Sequence, residues 1–70
     1  MEEMMKSNAR YVASADWGYG CRIAFVYKTR QEAVDGIKAE IEKEMPVGET
    51  GSWEVHTLDG MVVERGTLRK

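Results

Sequence analysis

The fold of this chain is decided by the stretch Tyr27-Lys-Thr-Arg-Gln-Glu-Ala-Val-Asp-Gly-Ile-Lys-Ala-Glu-Ile-Glu-Lys-Glu-Met45, which reads as one amphipathic helix. Thr29 and Glu32 have the spacing of a capping box, in which the two side chains each satisfy a backbone N–H at the start of a helix. Apolar residues then recur at helical spacing and form one stripe roughly 120° wide. These residues are Ala33, Val34, Ile37, Ile41 and Met45. Because Pro46 ends the pattern, the sequence predicts a single helix with one buried face.

Strand-like segments flank the helix on both sides. Residues 9–14 and 21–28 precede it, and the second of these segments is rich in β-branched and aromatic side chains. Residues 52–58 and 61–65 follow the helix with a similar alternating pattern. Residues 66–70 read either as a frayed extension or as a short final strand after a bulge. The element order is therefore strand, strand, helix, strand, strand.

Two hairpins around one helix predict an α+β fold. We expect a two-layer ββαββ domain over residues 9–70, with one helix packed on a mainly antiparallel four-stranded sheet. Residues 1–8 have no sustained apolar period and are predicted to form a flexible N-terminal tail. The strand order stays open between a β-grasp order, with the first and last strands parallel in the middle, and a meander-like order.

Alternation divides the second strand into two faces. The larger and more apolar set is expected to lie under the helix: Cys21, Ile23, Phe25 and Tyr27. The other set is only half polar: Arg22, Ala24, Val26 and Lys28. Residues 16–20 carry turn chemistry, and Asp59-Gly60 predicts a type I′ hairpin turn with positive φ at both positions.

Composition places the chain among globular domains. Of its 70 residues 43% are apolar and 31% are charged, and the net charge is −2. One cysteine cannot form a disulfide framework, so we expect a reducing, cytoplasmic setting. No run reaches the ~18 apolar residues of a membrane span, and the acidic balance argues against indiscriminate binding to nucleic acid.

The chain offers little material for catalysis. Cys21 and His56 are its only candidates for a nucleophile and a base, and we expect Cys21 to be a small buried apolar residue instead. One His and one Cys do not have the ligand spacing of a metal site. No glycine-rich loop precedes the helix to hold a phosphate. We therefore predict a non-enzymatic protein without a metal or cofactor.

The turn around Trp17 and Tyr19 is the main candidate for a binding surface, because clustered aromatics are typical of interface hot spots. The alternative is that Trp17 folds back as a lid over the core. The predicted binding residues combine this turn with the sheet face opposite the helix: Asp16, Trp17, Tyr19, Arg22, Ala24 and Val26. The partner is expected to be another protein, or a second copy that meets the same sheet face.

Two other functions compete with a protein-interaction module. Tyr11, Phe25, Tyr27 and Trp53 could serve as stacking platforms for a single-stranded nucleic acid, although the acidic pI of about 5.3 opposes this. A thiol-dependent enzyme would need a reactive Cys21.

The second half of the chain resembles a family of short bacterial domains of unknown function. In that family a Thr-capped helix leads into a hairpin that reads Val-x-His-x-x-Asp-Gly-x-Ile. Val55, His56, Asp59 and Gly60 match this pattern, although His56 follows Val55 directly. The resemblance covers about half the chain and implies a ββαββ fold. It carries no catalytic residues over to this chain, because the family has none assigned. In size and composition the chain is also similar to phage-encoded inhibitors such as anti-CRISPR proteins, which implies an inhibitory role.

Overall fold

A computed structural model describes residues 9–18 and 20–70 of this chain. Strand β1 spans Tyr11–Trp17, strand β2 Cys21–Tyr27, helix α1 Arg30–Glu44, strand β3 Thr50–Thr57 and strand β4 Val62–Arg69. The predicted two-layer ββαββ fold is confirmed. The predicted tail at residues 1–8 lies outside the described residues.

The four strands form one sheet in the order β2-β1-β3-β4, and every neighbouring pair is antiparallel. Each hairpin therefore places its first strand in the centre and its second strand at an edge. The β-grasp alternative, which needs a parallel central pair, is wrong. The sheet is not a simple meander either, because β1 pairs with β3 across the helix connection, with Tyr11 opposite Thr57 and Trp17 opposite Gly51.

Helix α1 begins after Thr29 and ends before Pro46 as its sequence predicts, but of the two predicted capping-box hydrogen bonds the described residues form only one. The Thr29 hydroxyl accepts a hydrogen bond from the backbone N–H of Glu32 at 3.1 Å, which satisfies one of the donors left free in the first turn. The whole predicted apolar stripe is buried: Ala33, Val34, Ile37, Ile41 and Met45. At the other end the Met45 N–H still donates to the Ile41 carbonyl, and Pro46 stops the helix.

The core lies between α1 and the central strands. Ala13 and Ala15 of β1 are almost completely buried under the helix, and their small side chains allow α1 to approach the sheet closely. Trp53 and Val55 of β3 fill the space beside them, and Trp17 is 9% exposed within the same cluster. The predicted turn at residues 16–20 is therefore too long, because β1 continues through Trp17.

The edge position of β2 changes the prediction for its helix-facing side. Ile23 and Tyr27 pack against the core as expected. Phe25 has the same orientation, because it pairs with the buried Ala13, but it is 42% exposed. Cys21 is also exposed, so the prediction that it is buried is wrong. Helix α1 covers the centre of the sheet better than this edge.

Two glycines allow aromatic rings to pack closely. A Cβ on Gly66 of β4 would lie 2.7 Å from Trp53 Cζ2, and one on Gly36 of α1 would lie 2.5 Å from Tyr27 Oη. Real Cβ atoms essentially never come this close to another heavy atom, so both rings occupy space that only glycine leaves free. Lys38 Nζ lies over the Trp53 ring, 5.4 Å from its centroid.

The second hairpin turn differs from the predicted type I′ form. Only Gly60 has a positive φ, of 98°, and Asp59 does not. The Gly60 N–H donates to the Thr57 carbonyl and the Thr57 N–H to the Met61 carbonyl. These bonds define a three-residue loop that ends with a glycine in the left-handed region. The Thr57 hydroxyl stabilises the loop, because it donates to Asp59 and accepts from the Met61 N–H.

The last residues form neither a frayed extension nor a separate strand. Strand β4 runs without interruption to Arg69, and the irregular register lies opposite Val55 and His56. Lys70 then reaches the end of α1, where its Nζ donates to the carbonyls of Glu42 and Met45. A cation at this position satisfies carbonyls that no helical N–H can reach.

Candidate functional site

Within the described residues no helix or strand covers the sheet face opposite α1, and we call this surface the open face. Cross-strand pairs arrange its side chains in rows across the four strands. One row contains Ala24, Ser14, Glu54 and Arg65 in the order of the strands. The next row contains Arg22, Asp16, Ser52 and Thr67. All of these residues except Ala24 line a shallow depression of about 510 Å³.

Two pairs of oppositely charged residues lie across neighbouring strands of the open face. Asp16 and Arg22 face each other on β1 and β2, with Oδ2 and Nη2 3.5 Å apart and both side chains well exposed. Glu54 and Arg65 are direct cross-strand neighbours on β3 and β4. Arg69 lies further along β4, opposite Thr50. In contrast, α1 carries five carboxylates and three basic side chains, so the two layers of the domain differ in charge.

One end of the open face is apolar. Val12 pairs with Val26 on one side and with His56 on the other, and His56 pairs with Val62. Val26 is 55% exposed and Val62 is 39% exposed. Leu58 and Met61 of the adjoining hairpin loop are also exposed. The open face therefore joins an apolar end to a polar, arginine-containing end.

The structure brings together four of the six predicted binding residues. Asp16, Arg22, Ala24 and Val26 all lie on the open face and are exposed. Trp17 points to the opposite side of β1 and is buried in the core, as the lid interpretation expects. Tyr19 lies outside the described residues. The surface that a partner could reach is thus the sheet face itself.

Half of the open face was missed by sequence reasoning. Ser52, Glu54, Arg65 and Thr67 line the same depression but come from the second hairpin. Alternation within residues 52–58 already separates Glu54 from Trp53. That signal could not show that β3 lies beside β1, so the contribution of the second hairpin became visible only with the strand order.

The candidate nucleophile and base lie far apart. Cys21 opens β2 and shares the orientation of Trp17, whereas His56 pairs with Val12 on the open face. They lie two strands apart across the sheet and about five residues apart along the strands, which places them roughly 19 Å from each other on opposite faces. His56 Nδ1 lies 2.9 Å from the Thr57 carbonyl oxygen. These two side chains cannot form a catalytic dyad in this fold.

The aromatic side chains proposed for base stacking do not form a platform on the open face. Tyr11, Tyr27 and Trp53 pack against the core under α1, and Phe25 has the same orientation. Within residues 9–18 and 20–70, no three His, Cys, Asp or Glu side chains lie close enough together to hold a metal ion. In the same part of the chain, no helix has the length and apolar character that crossing a bilayer requires.

Among the described residues, two ionisable groups have shifted pKa values. Burial raises the pKa of the Tyr27 phenol above its usual value, and the negative charge of Glu40 raises it further. The hydrogen bond from the Thr57 hydroxyl lowers the pKa of Asp59, with help from backbone N–H groups. The first shift follows from packing against the helix and the second from the turn. Both groups lie outside the depression of the open face.

Comparison with known proteins finds no matching family model, no matching curated protein and no matching solved structure.

Proposed function

We propose that this chain is a small, non-enzymatic protein-interaction module that binds its partner through the open face. The observation that supports this proposal is a four-stranded sheet with a helix on one side only. Its other side displays Val26, Ala24 and Val62 beside paired charges. Contiguous exposed apolar groups with a polar border are typical of protein-binding surfaces.

The chemistry of the open face indicates what the partner presents. Arg65 and Arg69 form no ion pair with any described residue, while Arg22 shares its charge with Asp16. A partner with an apolar patch would cover Val26 and Ala24, and its carboxylates would meet the arginines of β4. Such complementarity raises the association rate and fixes the orientation more than it adds affinity.

Single-stranded nucleic acid is the competing partner, and the open face supports it less well. Among the described residues, no Phe, Tyr or Trp side chain lies on this face for bases to stack on, and His56 is its single aromatic ring. Asp16 and Glu54 line the depression and would repel phosphates. A binding mode with arginines alone would depend strongly on salt.

A matched pair of double variants tests the proposal. Ala24→Glu with Arg65→Glu adds negative charge to the open face. Ala39→Glu with Lys43→Glu makes the same change in net charge on the exposed side of α1. All four positions are exposed, so both variants should keep the wild-type circular dichroism spectrum. Trp17 is unsuitable as a probe, because replacing a buried tryptophan disturbs the core.

The readout is the set of proteins that the immobilised chain retains from nuclease-treated extract of the native cell. We expect a defined protein to bind the wild type and the helix variant but not the open-face variant. Equal retention by both variants would exclude the open face. Titration with a single-stranded oligonucleotide at low salt completes the test. If the wild type and the helix variant bound it tightly and the open-face variant did not, the partner of the open face would be a nucleic acid and not a protein.

A further inference from the structure

The two edges of the sheet differ in how well they are protected against another strand. The β4 edge has an irregular register, carries Glu64 and Arg65, and is crossed by Arg30, whose Nη2 donates to the Val63 carbonyl at 2.8 Å. Bulges and charges of this kind are the usual protection of an exposed edge.

The β2 edge has neither an irregular register nor a described side chain that crosses it, and it carries a single charge. All seven residues of Cys21–Tyr27 pair with β1 in regular register, and Arg22 is the only charged residue among them. Within residues 9–18 and 20–70, no strand pairs with its outer side. A long, regular and mainly apolar edge is a template for adding a strand.

Side chains on both faces of β2 are exposed in a way that an added strand would relieve. Phe25 points to the helix side, yet it is 42% exposed because no described strand lies beyond β2 at this edge. Val26 is 55% exposed on the open face. We propose that β2 pairs antiparallel with β2 of a second copy of this chain, with Ala24 on the two-fold axis.

This register follows from the sequence of the strand. Centring the axis on Ala24 uses all seven residues and places Phe25 opposite Ile23 of the second copy, an aromatic–aliphatic pair that stabilises sheets. Val26 then lies opposite Arg22 of the second copy. Centring on Phe25 instead would place Arg22 opposite Lys28, two like charges. The Ala24 register is therefore self-complementary, as a two-fold interface requires.

The resulting dimer has one continuous eight-stranded sheet. An axis perpendicular to the sheet keeps both α1 helices on one side and joins the two open faces on the other. About six to eight new backbone hydrogen bonds, related in pairs by the axis, form along roughly 23 Å of paired strand. The inference extends the proposed function, since the two open faces would lie side by side, but it does not require that a different partner exists.

Disulfide trapping of the full chain tests the register directly. In a Cys21→Ser background, Ala24→Cys places two thiols opposite each other, with the Cα separation of ~4.5–5.5 Å that a disulfide accepts. Ser14→Cys on β1 would lie about 14 Å from its counterpart and reports face-to-face stacking. Thr67→Cys reports pairing through β4. We expect Ala24→Cys to cross-link at least about tenfold faster than either control, because only its thiols are within reach.

Two substitutions of opposite charge at Val26 provide the second measurement. Val26→Lys would face Arg22 of the second copy twice in each dimer, whereas Val26→Glu would face it with the opposite charge. Sedimentation equilibrium at low salt should show a dissociation constant at least about tenfold higher for Val26→Lys than for Val26→Glu. Both variants should keep the wild-type circular dichroism spectrum, since Val26 is exposed.

Several outcomes would overturn the inference. A wild type that stays monomeric at 100 μM, equal dissociation constants for the two Val26 variants, or faster cross-linking at Ser14 or Thr67 would each reject pairing through β2. A monomer that still retained a defined protein through the open face would leave the proposed function intact. A dimer that retained no other protein would support the pairing through β2 and contradict the proposed function.

Discussion

Replacing Gly66 by Ala tests whether the Trp53 ring depends on the missing side chain. Glycine in a strand usually costs roughly 0.5–1 kcal/mol relative to alanine, so the substitution should stabilise an ordinary strand. Here the new Cβ would lie 2.7 Å from Trp53 Cζ2 and 2.9 Å from Cε2. Trp53 is 6% exposed and packs in the same core cluster as the buried residues of α1, and Lys38 Nζ lies 5.4 Å from the centroid of its ring. The ring cannot move aside without disturbing the core.

The magnitude follows from two opposing effects. Forcing extra atoms into a packed core typically costs about 1–3 kcal/mol, and the gain in strand propensity offsets part of that cost. We expect Gly66→Ala to lower the free energy of unfolding by roughly 1–2 kcal/mol. For a domain of this size that corresponds to a decrease of about 4–16 °C in the melting temperature.

Urea unfolding followed by far-ultraviolet circular dichroism measures this change, with Thr67→Ala as a control at the neighbouring exposed position. Trp53→Leu removes the three indole atoms that Gly66 contacts, and in that background Gly66→Ala should become neutral or stabilising. The coupling between the two sites should be at least about 1 kcal/mol. A stabilising effect in the wild type, or an equal penalty in both backgrounds, would refute the argument.

Three further substitutions test the ends of the helix and its contact with β2. Thr29→Ala should cost about 1 kcal/mol of unfolding free energy by removing the cap on the Glu32 N–H, and Thr29→Ser should restore it; no loss would mean that the cap is dispensable. Lys70→Met should cost about 0.3–1 kcal/mol at low salt, and the loss should shrink in 1 M NaCl if the charge is responsible. Burial first, and the negative charge of Glu40 second, raise the pKa of Tyr27 in the folded state. The stability linked to this phenol is therefore present below its unfolded pKa and is lost as the pH rises through its folded pKa. Tyr27→Phe should therefore lose less stability than the wild type above pH about 10, and parallel pH profiles would contradict this.

The elements of the fold could be predicted because each one follows from local chemistry. Thr29, the apolar stripe and Pro46 define α1 without reference to the rest of the chain. The strand order could not be predicted in this way. Ala13 and Ala15 are weak strand formers with small side chains, and nothing in their pattern indicates that β1 lies at the centre under the helix. The exposure of Phe25 could not be predicted for the same reason, because edge strands and central strands have the same alternation of apolar and polar residues.

The sequence alone predicted only the part of the candidate site that lies on the first hairpin. Arg22, Ala24 and Val26 could be assigned to an uncovered face from alternation alone. Arg65 and Glu54 join them only through the pairing of β1 with β3, which no local signal in the sequence specifies. The turn at Asp59 shows a similar limit, since the hydroxyl of Thr57 favours a three-residue loop that the Asp-Gly pair alone does not predict.

The central pairing of β1 with β3 also has a kinetic consequence. Each hairpin closes through a short local loop, but neither hairpin alone can cover its apolar face. The seam between them joins residue 17 to residue 51 and residue 11 to residue 57, so its formation must overcome the entropy of one long loop. Helix α1 reduces that cost, because its 15 residues span about 22 Å, nearly the length of a seven-residue strand. We expect folding to be limited by this single closure, and substitutions along the seam to slow it more than changes in either hairpin turn.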